Sequence, residues 1–193
     1  SHAQKISTSV GDFFLKWNTL APPDLFQKEA EGLNEMRATE NPFLVVPKVV
    51  WSKIADELPG LLLLEFLSPA VSTSGYDERL GRGIAHLHRK TTANYGFHHP
   101  NYCGTTVQDN TWSANWADFF GEYRIWALVQ QIRDSRGMPS GEQKLYEKLV
   151  AKLPGLLNHK TLPSLIHGDL WSGNYLFTAG GPALIDPACY YAD

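Results

Sequence analysis

His167-Gly168-Asp169-Leu170-Trp171-Ser172-Gly173-Asn174, with Ile185-Asp186-Pro187 a short way downstream, is the stretch on which the reading of this chain turns. Asp, Asn, Gly and Pro are ordinary turn formers, so any one of them alone reads as a bend. The joint spacing is more specific. Asn174 follows Asp169 by five residues, and Asp186 follows Asn174 by twelve. The apolar run Ser164 to Ile166 precedes the stretch, and Tyr175 to Phe177 and Ala183 to Ile185 form a hairpin pattern between its two halves. Phosphoryl transfer from ATP needs a carboxylate to accept the proton of the attacking hydroxyl, and further oxygen ligands to hold Mg2+ across the leaving phosphates. Asp169, Asn174 and Asp186 can supply these, in the order and spacing used by kinase catalytic loops.

The same chemistry asks for two more groups, a strand lysine to hold the α- and β-phosphates and a helix glutamate to orient it. The amino-terminal half offers both. Ile6 to Ser9 and Phe13 to Trp17 are β-prone runs around Gly11-Asp12, a pair that favours a tight hairpin, and Lys16 closes the second run. Beyond Pro22-Pro23, Asp24 is an N-cap candidate for a helix from about Leu25 to Thr39, with Phe26, Ala30, Leu33 and Met36 on one face and Glu29 one position off it. Glu31 and Glu35 are weaker partners for Lys16. Val49 to Ser52 and Leu61 to Leu67 read as a further strand pair turning near Pro59-Gly60, so residues 1–67 form a small mixed lobe.

From Tyr76 the pattern becomes helical, with Leu80, Ile84, Leu87 and His88 in register, then a polar, aromatic loop from Thr91 to Thr111. Two helices are expected next, about Ser113 to Asp134 and Gly141 to Leu153; the first carries Trp116, Phe119, Phe120, Tyr123, Ala127 and Leu128 on an apolar stripe. The fold class expected is α+β, a two-lobed protein-kinase-like architecture with residues 68–193 as a mainly helical second lobe.

On these residues the chain resembles the fructosamine kinase or ketosamine-3-kinase family, within the larger aminoglycoside phosphotransferase and protein-kinase-like group. The likeness spans nearly the whole chain: Phe14-Leu15-Lys16, Glu29-Ala30-Glu31-Gly32-Leu33, Leu63-Leu64-Glu65-Phe66, Tyr95-Gly96-Phe97-His98, Gly104-Thr105-Thr106, Asn110-Thr111-Trp112, and above all His167 to Asn174 with Asp186-Pro187-Ala188. The resemblance implies ATP-dependent phosphorylation of the 3-hydroxyl of a ketosamine such as fructosamine or ribulosamine, free or on a protein lysine, as deglycation repair. It implies Asp169 as the catalytic base, Asn174 and Asp186 as Mg2+ ligands, Lys16 with Glu29 as the phosphate-holding pair, and Glu65, Phe66 and Leu67 as the hinge that meets the adenine. His167 is expected to brace its loop rather than transfer protons. Trp171, two residues past the expected base in a polar loop, is placed to stack on a sugar ring. Choline-, aminoglycoside- or homoserine-type phosphotransferases and an inactive kinase-like module are the competing readings.

Relative to that family the chain starts at Ser1-His2-Ala3 without the expected glycine-rich phosphate lid and stops at Asp193, which reads as a domain cut at both ends and predicts partial exposure of the stripe on Trp116, Phe119 and Tyr123. The remaining composition excludes classes. Its 193 residues, 43% apolar and 19% charged, suit a globular protein and not a disordered one. Seventeen basic against twenty acidic side chains, with no Lys/Arg run, argue against a nucleic-acid partner. Leu61 to Leu67 is too short and too interrupted by Glu65 to span a membrane. Cys103 and Cys189 form no CxxC pair, and a reducing, cytoplasmic setting is expected. His98-His99 lacks a carboxylate at ligand spacing and reads as no metal site. Trp112 is either core or acceptor-cleft wall, and the oligomeric state is left open.

Overall fold

The computed structural model describes residues 2–55, 59–71 and 74–193. Strands β1 (His2–Thr8), β2 (Gly11–Asn18), β3 (Val49–Lys53) and β4 (Gly60–Glu65) form an antiparallel sheet in the order β1-β2-β4-β3, and helix α1 (Leu25–Arg37) packs on it. The burial of β4 alternates, with Gly60, Leu62 and Leu64 inward, as a half-covered strand requires. Phe26, Ala30, Leu33 and Met36 of α1 are the residues that meet this face. Lys16 pairs with Leu62 across β2 and β4, and opposed residues project from the same face. The lysine therefore points into the apolar layer under α1, and it is buried.

The first hairpin turns two residues earlier than the sequence suggests. Ser9-Val10 form the turn and Thr8 pairs with Gly11, while Asp12 is already in the ladder opposite Ser7. The Thr8 hydroxyl explains the shift, donating to the Gly11 carbonyl (2.9 Å) and accepting from Val10 N–H (3.2 Å). Of the turn expected near Pro59-Gly60 between β3 and β4, Gly60 already opens β4, and residues 56–58 of the connection lie outside the described residues.

Helix α2 (Tyr76–Leu87) follows, then a long segment carrying the hairpin β5 (Asn101–Cys103) and β6 (Thr106–Gln108). The next helix is not uniform. α3 (Trp116–Phe119) runs through a π-helical stretch, Phe120–Trp126, into α4 (Ala127–Arg136). The widened turn coincides with two local demands. At buried Gly121 an added Cβ would stand 3.2 Å from Leu153 and Val150 of α5 (Ser140–Leu156), and the Arg124 guanidinium lies 4.7 Å from the Phe119 ring centre and 4.0 Å from that of Tyr190. Phe119 is wholly buried, while Trp116 and Tyr123 are half-buried against the core. The partial exposure expected of the stripe holds for Trp116 and Tyr123 and fails only for Phe119; Leu128 at its far end is exposed, as are Leu145, Leu149 and Leu156 of α5.

The chain closes with β7 (Ser164–Ile166), the hairpin β8 (Tyr175–Thr178) and β9 (Gly181–Leu184), and β10 (Tyr190–Ala192), which pairs with β7. β10 has no counterpart in the sequence reading. The loops after β7 and after β9 emerge side by side at one end of these strands, facing β2 and α1. Among the described residues no helix is long and apolar enough to cross a membrane.

Candidate functional site

Two loops make the floor of the site, and backbone bonds stitch them together: Ala188 N–H to the His167 carbonyl (2.9 Å) and Ile185 N–H to the Asn174 carbonyl (3.0 Å). Their approach depends on Gly168. Its φ is +82°, and a Cβ there would lie 1.9 Å from the Ala188 carbonyl oxygen, a spacing no side-chain carbon can occupy. Asp186 is also left-handed, at φ 54°. Such strain in a non-glycine residue persists where its surroundings over-determine it.

His167 is buried beneath the loop. Its Nε2–H donates to the Ile185 carbonyl (2.9 Å), and Nδ1 accepts from Asp169 N–H (3.3 Å). These two bonds define a neutral ring with its hydrogen on Nε2. Burial holds its pKa below the ordinary value, against the opposing pull of the Ile185 carbonyl and the Asp169 and Asp186 carboxylates. The ring spans both loops, as a brace does.

Asn174 is buried, and its Nδ2 donates to the Asp169 backbone carbonyl (2.8 Å) and to Asp169 Oδ2 (3.0 Å). The five-residue spacing thereby becomes a fixed contact, with the amide oxygen of Asn174 left for another partner. From the opposite side Lys16 Nζ reaches Glu29 Oε1 and Oε2 and Asp186 Oδ1, each at 2.8 Å. Burial depresses the Lys16 pKa, but the charges of Glu29 and Asp186 outweigh it and raise the net value, so the amine is a cation. Burial pushes Glu29 up to about 7 against the attraction of Lys16. Glu31 and Glu35 point elsewhere, Glu31 to Lys28 and His99 and Glu35 to Lys90 and Tyr191.

Lys16, Glu29, Asp169, Trp171, Asn174 and Asp186 all line one polar cleft of about 240 Å³. Trp171 is exposed, and its ring covers Gly173, where a Cβ would come within 2.4 Å of it. Glu65, Phe66 and Leu67 do not enter that cleft. They line a neighbouring apolar slot of about 260 Å³ with Phe14, Pro47, Leu176 and Ile185, and Asp186 borders both spaces. The site thus has an apolar slot and a polar cleft joined at one carboxylate.

Sequence reading missed part of the wall. Asn101, Tyr102, Leu25 and Lys28 also line the polar cleft, and no motif around them singled them out. The Cys103 thiol lies beside Asp169; burial and that negative charge raise its pKa, which keeps it protonated. Trp112 is 39% exposed and stands edge-on to His98, away from the cleft's lining. His98 packs on Phe97 and His99 pairs with Glu31, and among the described residues no three His, Cys, Asp or Glu side chains cluster as a metal site.

A four-stranded sheet with one packed helix, joined to a mainly helical body that carries paired loops with Asp169, Asn174 and Asp186, is the protein-kinase-like fold. The chain belongs to the fructosamine kinase family, whose profile matches residues 1–193. It is similar to the chloroplastic protein-ribulosamine 3-kinase of Arabidopsis thaliana, at 36% identity over 195 residues, covering 98% of this chain and 58% of that protein. It is likewise similar to the Escherichia coli K12 protein named "Probable ketoamine kinase YniA", at 35% identity over 185 residues, covering 94% of this chain and 62% of that protein. The chain thus spans about three fifths of the length of these curated relatives. A Haemophilus somnus structure solved under a provisional fructosamine-3-kinase designation superposes with a TM-score of 0.84 at 27% identity, over all of this chain and 68% of the other. Aminoglycoside phosphotransferase APH(4)-Ia, solved with AMP-PNP and hygromycin B, shares the fold alone, with a TM-score of 0.66 at 13% identity over all of this chain and 68% of that one.

Proposed function

We propose that the protein is an ATP-dependent phosphotransferase acting on the 3-hydroxyl of a ketosamine, fructosamine or ribulosamine, free or carried on a protein amine. One observation carries the reading: Lys16 Nζ meets Glu29 and Asp186 at 2.8 Å in the same cleft as the Asp169–Asn174 pair. Residues 1–67 then form the nucleotide-holding lobe with the hinge at its end, and 68–193 the lobe that presents the acceptor.

In this reading the apolar slot beside Glu65, Phe66 and Leu67 takes the adenine, and the Lys16 ammonium, oriented by Glu29, faces the phosphates. The Asp169 carboxylate, held by Asn174, accepts the proton of the acceptor hydroxyl. That oxygen bonds to the γ-phosphorus, the bond from the γ-phosphorus to the bridging oxygen breaks, and ADP leaves. Asn174 and Asp186 are suited to Mg2+: both offer oxygen donors, the Asn174 amide nitrogen is turned to Asp169, and Asp186 has one oxygen on Lys16 and the other free of it. When bound, the ion neutralises charge on the phosphates. Trp171, exposed over Gly173, offers a flat face to the sugar. The cysteines are unpaired, which suits a reducing compartment such as the cytoplasm, although the Arabidopsis relative is named as chloroplastic.

The shared fold of APH(4)-Ia keeps a second reading alive, a phosphotransferase for another hydroxylated amine. Purified protein with Mg-ATP is expected to release ADP with ribulosamine or fructosamine and not with choline or an aminoglycoside. Equal rates on choline would end the ketosamine assignment.

A further inference from the structure

Helix α1 is tied to the second lobe by a set of contacts that the Lys16–Glu29 pair does not use. Asp24, at its head, accepts from the Tyr102 hydroxyl (2.7 Å), and Glu31 pairs with His99. The strongest point is Glu35, whose Oε1 accepts from the Tyr191 hydroxyl (2.8 Å) and from the Lys90 ammonium (2.8 Å); Lys90 also reaches the Glu35 backbone carbonyl (3.3 Å). Positions 24, 31 and 35 share one side of the helix by spacing, and Glu29 leaves on another. Between them Gly32 rests on the segment that follows Asp186: a Cβ there would lie 3.3 Å from Pro187 and 3.6 Å from the Cys189 sulfur.

The anchors are themselves fixed to the floor of the site. Leu165 N–H bonds the Lys90 carbonyl (2.8 Å), and Tyr191 pairs with Leu165 across β10 and β7. β7 runs directly into His167 and Asp169. The contacts around Glu35 therefore connect α1 to the strand pair, β7 and β10, that one floor loop leaves and the other enters.

We infer that Glu35, clasped by Lys90 and Tyr191, is a positioning residue that fixes α1 at the distance where Glu29 and Asp186 grip Lys16 together. The inference rests on the proposed function only for what the grip serves. Its test needs no nucleotide and no turnover, so its outcome is separate from that of the kinase reading.

The probe is competitive acylation of the purified protein by trace acetic anhydride, with Lys16 followed by peptide mass spectrometry and exposed Lys144 and Lys148 as internal references. In the wild type Lys16, buried and bonded to Glu29 and Asp186, is expected to be strongly protected. Glu35→Ala is expected to raise Lys16 labelling roughly tenfold, the scale set by losing charged hydrogen bonds that oppose local opening, with the references unchanged. Glu35→Gln, whose amide oxygen still accepts from both donors, is expected to restore most of the protection. Val129→Ala, a core truncation in α4 away from α1, should lower the melting temperature without raising Lys16 labelling. If Glu35→Ala does not fold, Tyr191→Phe and Lys90→Met each remove one donor and should raise labelling by a few-fold. Folded variants with Lys16 as protected as in the wild type would overturn the inference, as would Val129→Ala exposing Lys16 equally.

Discussion

Lys16 and Asp186 lie 170 positions apart and meet at 2.8 Å, the lysine from the second strand of the sheet and the aspartate from the loop after β9. Glu29 completes the contact, so one ammonium neutralises two carboxylates, and one of these is almost fully enclosed.

Removing the cation therefore has a pH-dependent cost. Lys16→Met leaves Glu29 and Asp186 facing each other, a loss of about 3–5 kcal/mol at pH 8 on the scale of broken buried pairs. Glu29 already has a raised pKa, and without Lys16 it rises further. A carboxyl raised in the folded state loses stability as pH climbs above its unfolded value. Denaturant unfolding should show a markedly smaller cost at pH 5.5 than at pH 8. Equal costs at both would mean that the pair is not buried as described.

His167 gives the opposite slope. Its folded pKa is depressed, so its contribution is present above the unfolded value of about 6.5 and is lost as pH falls through the folded one. His167→Gln should remove that component, and the difference between the two unfolding profiles separates it from the contrary effect of Glu29. Parallel profiles from pH 5 to 8 would show that the ring is not held neutral.

Gly168→Ala is expected to cost about 3 kcal/mol, from the left-handed backbone and the contact with the Ala188 carbonyl combined. It should also abolish turnover, because the two floor loops must part. A melting temperature within a degree or two of the wild type would contradict the close approach.

Trp171→Ala should raise the acceptor KM roughly tenfold, the upper range for one aromatic contact, with the nucleotide KM unchanged. A change confined to the nucleotide would place the ring elsewhere in the reaction.

Much of this was legible in the sequence because the site is built from local spacing. Asp169 to Asn174 is a loop whose contacts close within five residues, and the β4 alternation and the α1 stripe each announce their buried face. The meeting of Lys16, Glu29 and Asp186 followed from chemical need, not periodicity. What stayed hidden depends on distant partners. β10 exists because β7 offers it an edge, and the π-helical turn accompanies the placing of the Arg124 guanidinium against the stacked Phe119 and Tyr190 rings. Tyr102 and Lys28 line the cleft only through the docking of α1 against the β5–β6 hairpin. The early turn at Ser9-Val10 was missed because the Thr8 hydroxyl outweighed the pull of Gly11-Asp12.

The most direct measurement of the central claim is ADP release with ribulosamine by wild type and Asp169→Asn, with Mg-nucleotide affinity determined in parallel. The substitution keeps the shape of the loop and removes the carboxylate proposed to accept the proton. The account predicts a rate lower by ~10²–10⁴ with nucleotide affinity essentially unchanged. Turnover by Asp169→Asn within a factor of two of the wild type, or equal silence of both proteins, would contradict it.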